Sequence, residues 1–121
     1  MISRKAFIDK VNQEGFSFNI QIPWWWYKDF KSLVRRKRLS EEQLYQLFIS
    51  LCREIEDRRM KAIADKRKYQ TGFYVAACNG REFRFEFVFK KNQQLRVFNL
   101  FETVNGRKKL TLMDLLDYIM D

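Results

Sequence analysis

Four phenylalanines at alternate positions constrain the fold of this chain more than any other feature of its sequence. The segment 83–89 reads FRFEFVF, so a β-strand there places all four rings on one face. The preceding Asn79-Gly80 dipeptide is typical of a tight hairpin, because both residues tolerate positive φ. The apolar segments 73–78 and 95–101 lie on either side. The sequence therefore predicts a three-stranded antiparallel meander with one face buried.

Helices and a further strand are predicted around this meander. Residues 16–22 alternate strictly between apolar and polar side chains, which is typical of a fourth strand, and Pro23 ends it. Predicted helices cover residues 3–13, 24–33, 40–68 and 111–119. The helix from Ser40 begins with a capping box and is the longest. We expect one α+β domain over residues 1–121, with a three- to four-stranded antiparallel sheet packed by the long helix and flanked by N- and C-terminal helices.

Several classes of function are excluded by composition. The chain has 121 residues and no histidine, which removes Ser-His-Asp and Cys-His catalysis and His-ligated zinc. Cys52 and Cys78 lie among apolar residues, which predicts that both are small buried hydrophobic side chains. We expect neither a metal site nor a cofactor. No segment is apolar over the length of a membrane span, and no secretory signal is visible. A cytoplasmic protein without a membrane association is expected.

A surplus of positive charge points to an anionic partner. The chain has 24 Lys and Arg against 15 Asp and Glu, a formal net charge of +9. The first third of the chain carries a basic cluster, which consists of Lys28, Lys31, Arg35, Arg36, Lys37 and Arg38. Cations near phosphates give affinity that depends on salt but not on base sequence. The alternative is a solvated corner between two helices.

The run Trp24-Trp25-Trp26-Tyr27 cannot be buried on one face of a helix. Successive helical residues point about 100° apart, so we expect at least one indole to be substantially exposed. An exposed indole beside a basic run is suited to stacking on a base, and equally to anchoring a protein interface. The alternative is that helix packing and the core absorb all of them.

The face of the meander opposite to the phenylalanines carries Arg84 and Arg96, with Lys90 and Lys91 at the tip between the strands. Arginines on a concave sheet face hold phosphate well and stabilise the charge of a phosphoryl transition state. The alternative is that both arginines pair with Glu82, Glu86 and Glu102 across the strands.

In the order of its predicted elements, the segment 16–101 resembles the small RelE/ParE-type toxins: a strand, two helices, then a three-stranded meander. The ribonucleases of that family cut RNA without histidine, with Arg and Lys on the sheet and often a Tyr near the C-terminus. The resemblance implies that Arg84, Arg96, Lys90 and Lys91 occupy such places. Tyr118 fits the pattern poorly, because its neighbours Asp114, Asp117 and Asp121 oppose a phosphate.

The leading hypothesis is a small basic nucleic-acid-binding protein that prefers RNA or single strands. No predicted helix combines a basic face with Asn or Gln for reading duplex DNA, whereas aromatic side chains are abundant. Metal-independent ribonuclease activity is an extension of this hypothesis. The alternative is a non-enzymatic interaction protein or inhibitor, which grips an acidic protein with a Trp-rich wedge and the basic cluster. A peripheral membrane binder is the weakest reading.

Overall fold

The structure of the chain is a computed structural model that describes residues 2–60, 66, 68–105 and 107–108. Its helices are α1 (Arg4–Asn12), α2 (Trp24–Arg35) and α3 (Glu41–Asp57), and its strands are β1 (Asn19–Gln21), β2 (Tyr69–Cys78), β3 (Arg81–Lys90), β4 (Gln94–Val104) and β5 (Arg107–Lys108). This combination confirms the predicted α+β class. The predicted C-terminal helix, 111–119, lies outside the described residues. Within the described part, none of the helices is long and apolar enough to cross a membrane.

The sheet is mixed rather than purely antiparallel. Its strand order is β1-β4-β3-β2, with β5 paired to the end of β4. The β2–β3–β4 meander is antiparallel as predicted, but β1 runs parallel to β4, with Asn19 opposite Gln94 and Gln21 opposite Arg96. The expectation of an antiparallel fourth strand is therefore wrong at this edge. Alternation within a segment specifies a strand, but the direction of pairing depends on the path of the chain between the two strands.

The four phenylalanines of β3 form the floor of the core, as their spacing predicted. All are essentially inaccessible to solvent, and α3 packs its apolar stripe against them. The Phe48 ring of α3 lies 5.0 Å from Phe85, 5.1 Å from Phe7 of α1 and 5.5 Å from Phe30 of α2, in edge-to-face geometry. Burial of one such ring contributes about 1.5–3 kcal/mol. Phe48 therefore joins all three helices to the sheet.

The local signals of the sequence are confirmed at the helix starts and at the hairpin. Ser40 Oγ accepts a hydrogen bond from the Gln43 backbone N–H at 3.0 Å, and the Gln43 side chain accepts one from the Ser40 N–H at 2.8 Å. Ser3 caps α1 with one such bond, which its Oγ accepts from the Ala6 N–H. Asn79 and Gly80 have φ values of 52° and 73°, which are the values that the tight turn requires.

The longest helix ends earlier than predicted. We expected helix to Lys68, but α3 ends at Asp57, and Arg59 adopts a φ of 54°. The left-handed conformation of Arg59 interrupts the helix beyond its last buried residue, Ile55, and the chain turns before Met60, which is again buried. Strand β2 then begins at Tyr69, four residues before the predicted start.

Candidate functional site

A cleft of about 510 Å³ lies at the β1 edge of the sheet, where the start of α2 approaches α1 and β4. Besides aliphatic side chains and Pro23, it is lined by Arg4, Asn12, Asn19, Gln21, Trp24, Trp25, Gln94 and Arg96. None of the residues that line it is acidic. The cleft therefore combines two arginines, four side-chain amides and two indoles without any carboxylate to repel an anion.

The two outer indoles stand at the mouth of this cleft. Trp24 is 68% exposed and Trp25 is 51% exposed, and their rings meet at right angles with centroids 5.7 Å apart. Both residues lie in the first turn of α2, where their side chains diverge by about 100°. The prediction that at least one indole is exposed is confirmed. Trp24 and Trp25 together offer two large apolar surfaces next to the amides and arginines of the cleft.

The other two aromatic residues of the run hold α2 in place. Trp26 packs against the core beside Phe98, and Tyr27 is buried against Phe7. The Tyr27 hydroxyl donates a hydrogen bond to the carbonyl of Ile2 at 2.6 Å. Burial, with the charge of Glu41 as a smaller cause, raises the pKa of Tyr27 to about 12. Inward-facing Trp26 and Tyr27 therefore fix the helix so that Trp24 and Trp25 must face outward.

The polar wall of the cleft is built by the parallel pairing of β1 and β4. This pairing sets Asn19 opposite Gln94 and Gln21 opposite Arg96, with all four side chains on the face away from the core. The intervening Ile20 and Leu95 are buried. Side-chain amides carry both a donor and an acceptor, and a guanidinium carries several donors. The wall is thus suited to hydrogen bonding with a flat, polar ring or a phosphate.

Two further side chains of the cleft, those of Arg4 and Asn12, hold β1 in place through hydrogen bonds to its backbone. The Arg4 guanidinium donates to the carbonyl of Ile22 at 2.9 Å, and Asn12 Oδ1 accepts from the N–H of Ile20 at 2.8 Å. Both bonds tie the outer edge of β1 to α1, because the other edge of β1 pairs with β4. Arg4 still brings its positive charge to the cleft. The short strand is held by side chains where a neighbouring strand is lacking among the described residues.

A stripe of one indole and three cations runs along α2 from the cleft. Trp24, Lys28, Lys31 and Arg35 are spaced by four, three and four residues, so they lie on one side of the helix, and all are exposed. We call this set the α2 stripe. It extends over about 17 Å, because each helical residue advances the chain by about 1.5 Å. The stripe can therefore follow several consecutive phosphates of a strand whose end or base occupies the cleft.

The basic run that follows α2 is divided by the fold. Arg35 and Lys37 are exposed, and Arg36 is half-buried at the end of the helix. Arg38 instead turns inward, and its Nη2 lies 2.5 Å from Oε2 of the buried Glu102, whose other oxygen lies 3.6 Å from Arg81. Lys37 adopts a φ of 57°, which turns the chain between Arg36 and Arg38. Arg38 therefore supports the fold, and the structure does not bring it to the surface that carries Lys28 and Lys31.

The two arginines of the sheet do not converge on one point. Arg84 stacks on the Phe73 ring at 4.1 Å and pairs with Glu86 at 3.5 Å. Arg96 lies opposite Val88, four residues along β3 from Arg84, which separates the two by about 13 Å along the sheet. Of the carboxylates that sequence offered as cross-strand partners, Glu86 pairs with Arg84, whereas Glu102 is held by Arg38 and Arg81. Arg96 belongs to the cleft and Arg84 does not.

The lysines at the tip of the meander fall beside the cleft. Lys90 lies directly opposite Gln94, which is a cleft residue, and is half-buried. Lys91 is exposed in the turn that follows, with its backbone N–H bonded to the carbonyl of Lys68 at 3.1 Å. Both add positive charge near the β4 side of the cleft. In the described ranges, no group of three or more Cys, Asp or Glu side chains is arranged to hold a metal ion.

Sequence reasoning missed Arg4 and the four amides of the cleft. Asn19, Gln21 and Gln94 looked like ordinary outward-facing strand residues, and Arg4 like a solvated helix residue. Only the parallel pairing of two segments about 75 residues apart brings them together. No local pattern in the sequence could have indicated this arrangement.

The chain was compared with protein-family models, with curated proteins and with solved structures. None of the three comparisons finds a match. The resemblance to the RelE/ParE-type toxins thus rests on the order of elements alone.

Proposed function

We propose that this protein binds single-stranded nucleic acid, RNA or single-stranded DNA, in the cleft between α1, β1 and the start of α2. The observation that carries the proposal is the cleft itself. Trp24 and Trp25 stand exposed at its mouth, Arg96 and Arg4 line its wall, and no carboxylate lines it. Stacking aromatics beside a positive groove are the usual means of holding an unpaired strand.

In this proposal the indoles, the amides and the cations of the site contact the base surface, the base edge and the phosphates, respectively. A base stacks on one of the indoles, because every base presents a flat π-surface. The amides of Gln21 and Gln94 are placed to bond the edge of a base that enters the cleft. The following phosphates lie along the α2 stripe, where Lys28 and Lys31 neutralise them. Bases inside a duplex are already stacked on each other, so single strands bind more tightly than duplexes.

The proposal covers binding and does not include cleavage. A phosphoryl transition state needs several cationic donors around one phosphate. Arg84 and Arg96 lie about 13 Å apart along the sheet, and the Arg84 side chain is already occupied by Phe73 and Glu86. Ribonuclease activity of the RelE type thus has no support in the arrangement of these two arginines.

The test is fluorescence anisotropy with short labelled single-stranded RNA and DNA at about 50 and about 200 mM salt. We expect binding that weakens steeply as salt rises, by about 0.7 in log–log slope for each phosphate contacted. Trp24→Ala should weaken binding by about 1–3 kcal/mol if a base stacks on this indole. Replacing Lys28, Lys31 and Arg35 together by Gln should lower the salt slope by about 2.

A matched control removes the same amount of charge elsewhere. Arg53, Arg59 and Lys66 are exposed and lie outside the cleft and the α2 stripe, so their replacement by Gln should leave the affinity nearly unchanged. No binding at about 50 mM salt would overturn the proposal. Equal losses in both triple variants would show an unspecific response to charge rather than a site. Either result would favour an acidic protein partner, which a pull-down dependent on Trp24 and Trp25 would reveal.

A further inference from the structure

The outermost strand, β2, has a long unpaired edge at the opposite end of the sheet from the cleft. It spans ten residues and pairs with β3 alone among the described strands. Its sequence, YQTGFYVAAC, has no charged residue and no proline. Proteins normally protect an edge strand with lysine, proline or a bulge, because its open backbone groups otherwise recruit another strand. β2 carries none of these protections within its own ten residues.

Two hydrogen bonds establish which backbone groups of β2 point outward. The carbonyl of Lys68 accepts from Lys91, so it faces β3, and carbonyl directions alternate along a strand. The carbonyl of Phe73 accepts from the Arg58 guanidinium at 3.1 Å, which approaches from the outer side. Backbone groups of Thr71, Phe73 and Val75 therefore point away from the sheet, in position to bond an added strand.

The side chains beside this edge are apolar and exposed. Phe73 is 51% exposed and Val75 is 40% exposed, on the face away from the core. Residues directly opposite each other in an antiparallel pair contact through their side chains, and an aromatic ring against a β-branched residue is a favourable combination. Phe73 and Val75 are two residues apart, so each can face the other in a second copy of the same strand.

We propose that β2 pairs antiparallel with β2 of a second copy of this chain, about a two-fold axis at Tyr74. In this register Phe73 of each copy faces Val75 of the other, and Thr71 faces Ala77. Each of these four pairs exchanges two backbone hydrogen bonds, about eight in all. The Phe73 carbonyl has a second lone pair, so its bond from Arg58 and the new bond are compatible.

Symmetry favours a second copy as the occupant, and the distribution of charge favours β2 as the place of contact. Each copy has a formal net charge of +9, so most of its surface repels another copy, whereas β2 itself contains no charge. The two arginines that contact Phe73 are each paired with a carboxylate, Arg84 with Glu86 and Arg58 with Glu54. A two-fold contact uses the same patch twice, and the Phe73–Val75 alternation complements itself in the register given. The dimer would carry one nucleic-acid cleft at each end of a continuous sheet, but its formation does not depend on nucleic acid.

The test is sedimentation velocity over a range of protein concentration, at about 300 mM salt to screen the net charge and without nucleic acid. We expect a dimer. Val75→Lys should raise the dissociation constant of the dimer at least tenfold. It replaces an apolar cross-strand contact with a charge, and the two-fold symmetry repeats this change in the second copy. Val104→Lys is the matched control, since Val104 is also exposed on a strand but lies outside β2, and it should leave the dimer unchanged.

Hydrogen exchange provides a second readout that does not depend on a variant. In the dimer the outward N–H groups of Thr71, Phe73 and Val75 are bonded, and their exchange should slow as protein concentration rises. A monomer at every concentration would overturn the proposal. Slow exchange in such a monomer would show that another part of the same chain covers the edge. A dimer that Val75→Lys does not weaken would also overturn it, because the contact would then lie elsewhere.

Discussion

Replacing Arg38 by alanine should destabilise the fold, although Arg38 belongs to the same basic run as exposed Arg35. The Arg38 side chain is 23% exposed and pairs with Glu102, whose side chain is 7% exposed. Its loss leaves the Glu102 carboxylate buried without its nearest cation, and Arg81 remains 3.6 Å away. Breaking a fully buried pair costs about 3–5 kcal/mol. Partial exposure of Arg38 and the remaining Arg81 reduce this to about 2–3 kcal/mol.

Urea unfolding followed by tryptophan fluorescence measures this loss directly. At this chain length, 2–3 kcal/mol lowers Tm by about 8–12 °C. Arg35→Ala is the matched control, and it should change the unfolding free energy by less than about 0.5 kcal/mol because Arg35 is exposed. The two variants should behave in the opposite way in nucleic-acid binding, where Arg35→Ala lowers the salt slope by about 0.7 and Arg38→Ala does not.

A double variant isolates the ion pair from other effects of the substitution. Arg38→Ala leaves the charge of the buried Glu102 without its main partner, and adding Glu102→Gln removes that charge. The combined loss should therefore be smaller than the sum of the two single losses, by about 1–2 kcal/mol. If Arg38→Ala costs less than about 0.5 kcal/mol, or if the two losses simply add, the reasoning about Arg38 is wrong.

Three further predictions concern the core. Gly72→Ala should cost about 1–3 kcal/mol in urea unfolding, because the added Cβ would lie 2.9 Å from the buried Phe87 ring. Native protein should react with a thiol reagent such as iodoacetamide at Cys78 and not at Cys52, since burial raises the pKa of the Cys52 thiol to about 12; mass spectrometry after labelling distinguishes the two. The free energy of unfolding should be constant to about pH 9 and fall towards pH 12. Burial also raises the pKa of Tyr45 to about 12, as it does that of Cys52. A group whose pKa is higher in the folded than in the unfolded protein stops stabilising the fold as pH rises from the unfolded pKa to the folded pKa. Tyr45→Phe should reduce that fall in alkaline urea titrations, whereas an unchanged slope would contradict the assignment.

The residues of the basic run 35–38 have different roles in the structure, which shows why net charge alone cannot locate a binding site. Arg35 and Arg38 are three residues apart, yet one is exposed on the α2 stripe and the other supports a buried carboxylate. Lys10 likewise lies over the Tyr45 ring at 4.0 Å and near Glu42. The cations that remain exposed near the cleft, rather than the total of +9, carry the argument for an anionic ligand.

Much of the fold was predictable because its signals are short-range. Alternating phenylalanines define β3, Asn79-Gly80 defines the hairpin, and the Ser40 capping box starts α3 at the expected residue. The exposure of an indole also followed from helix geometry alone. The end of α3 was predicted too late, because charged residues with good helix propensity continue beyond Asp57, and the residue type of Arg59 does not indicate its left-handed conformation.

The sequence by itself therefore determined the existence of the meander strands, the hairpin, the helix starts and the face of β3 that is buried, since each depends on residues within a few positions of one another. Tertiary structure alone decided the parallel pairing of β1 with β4, and with it the meeting of Trp24 and Arg96 in one cleft. It also decided that Arg38 meets Glu102, 64 residues further along the chain. Such contacts depend on how separate elements pack, and no local pattern of side chains encodes them.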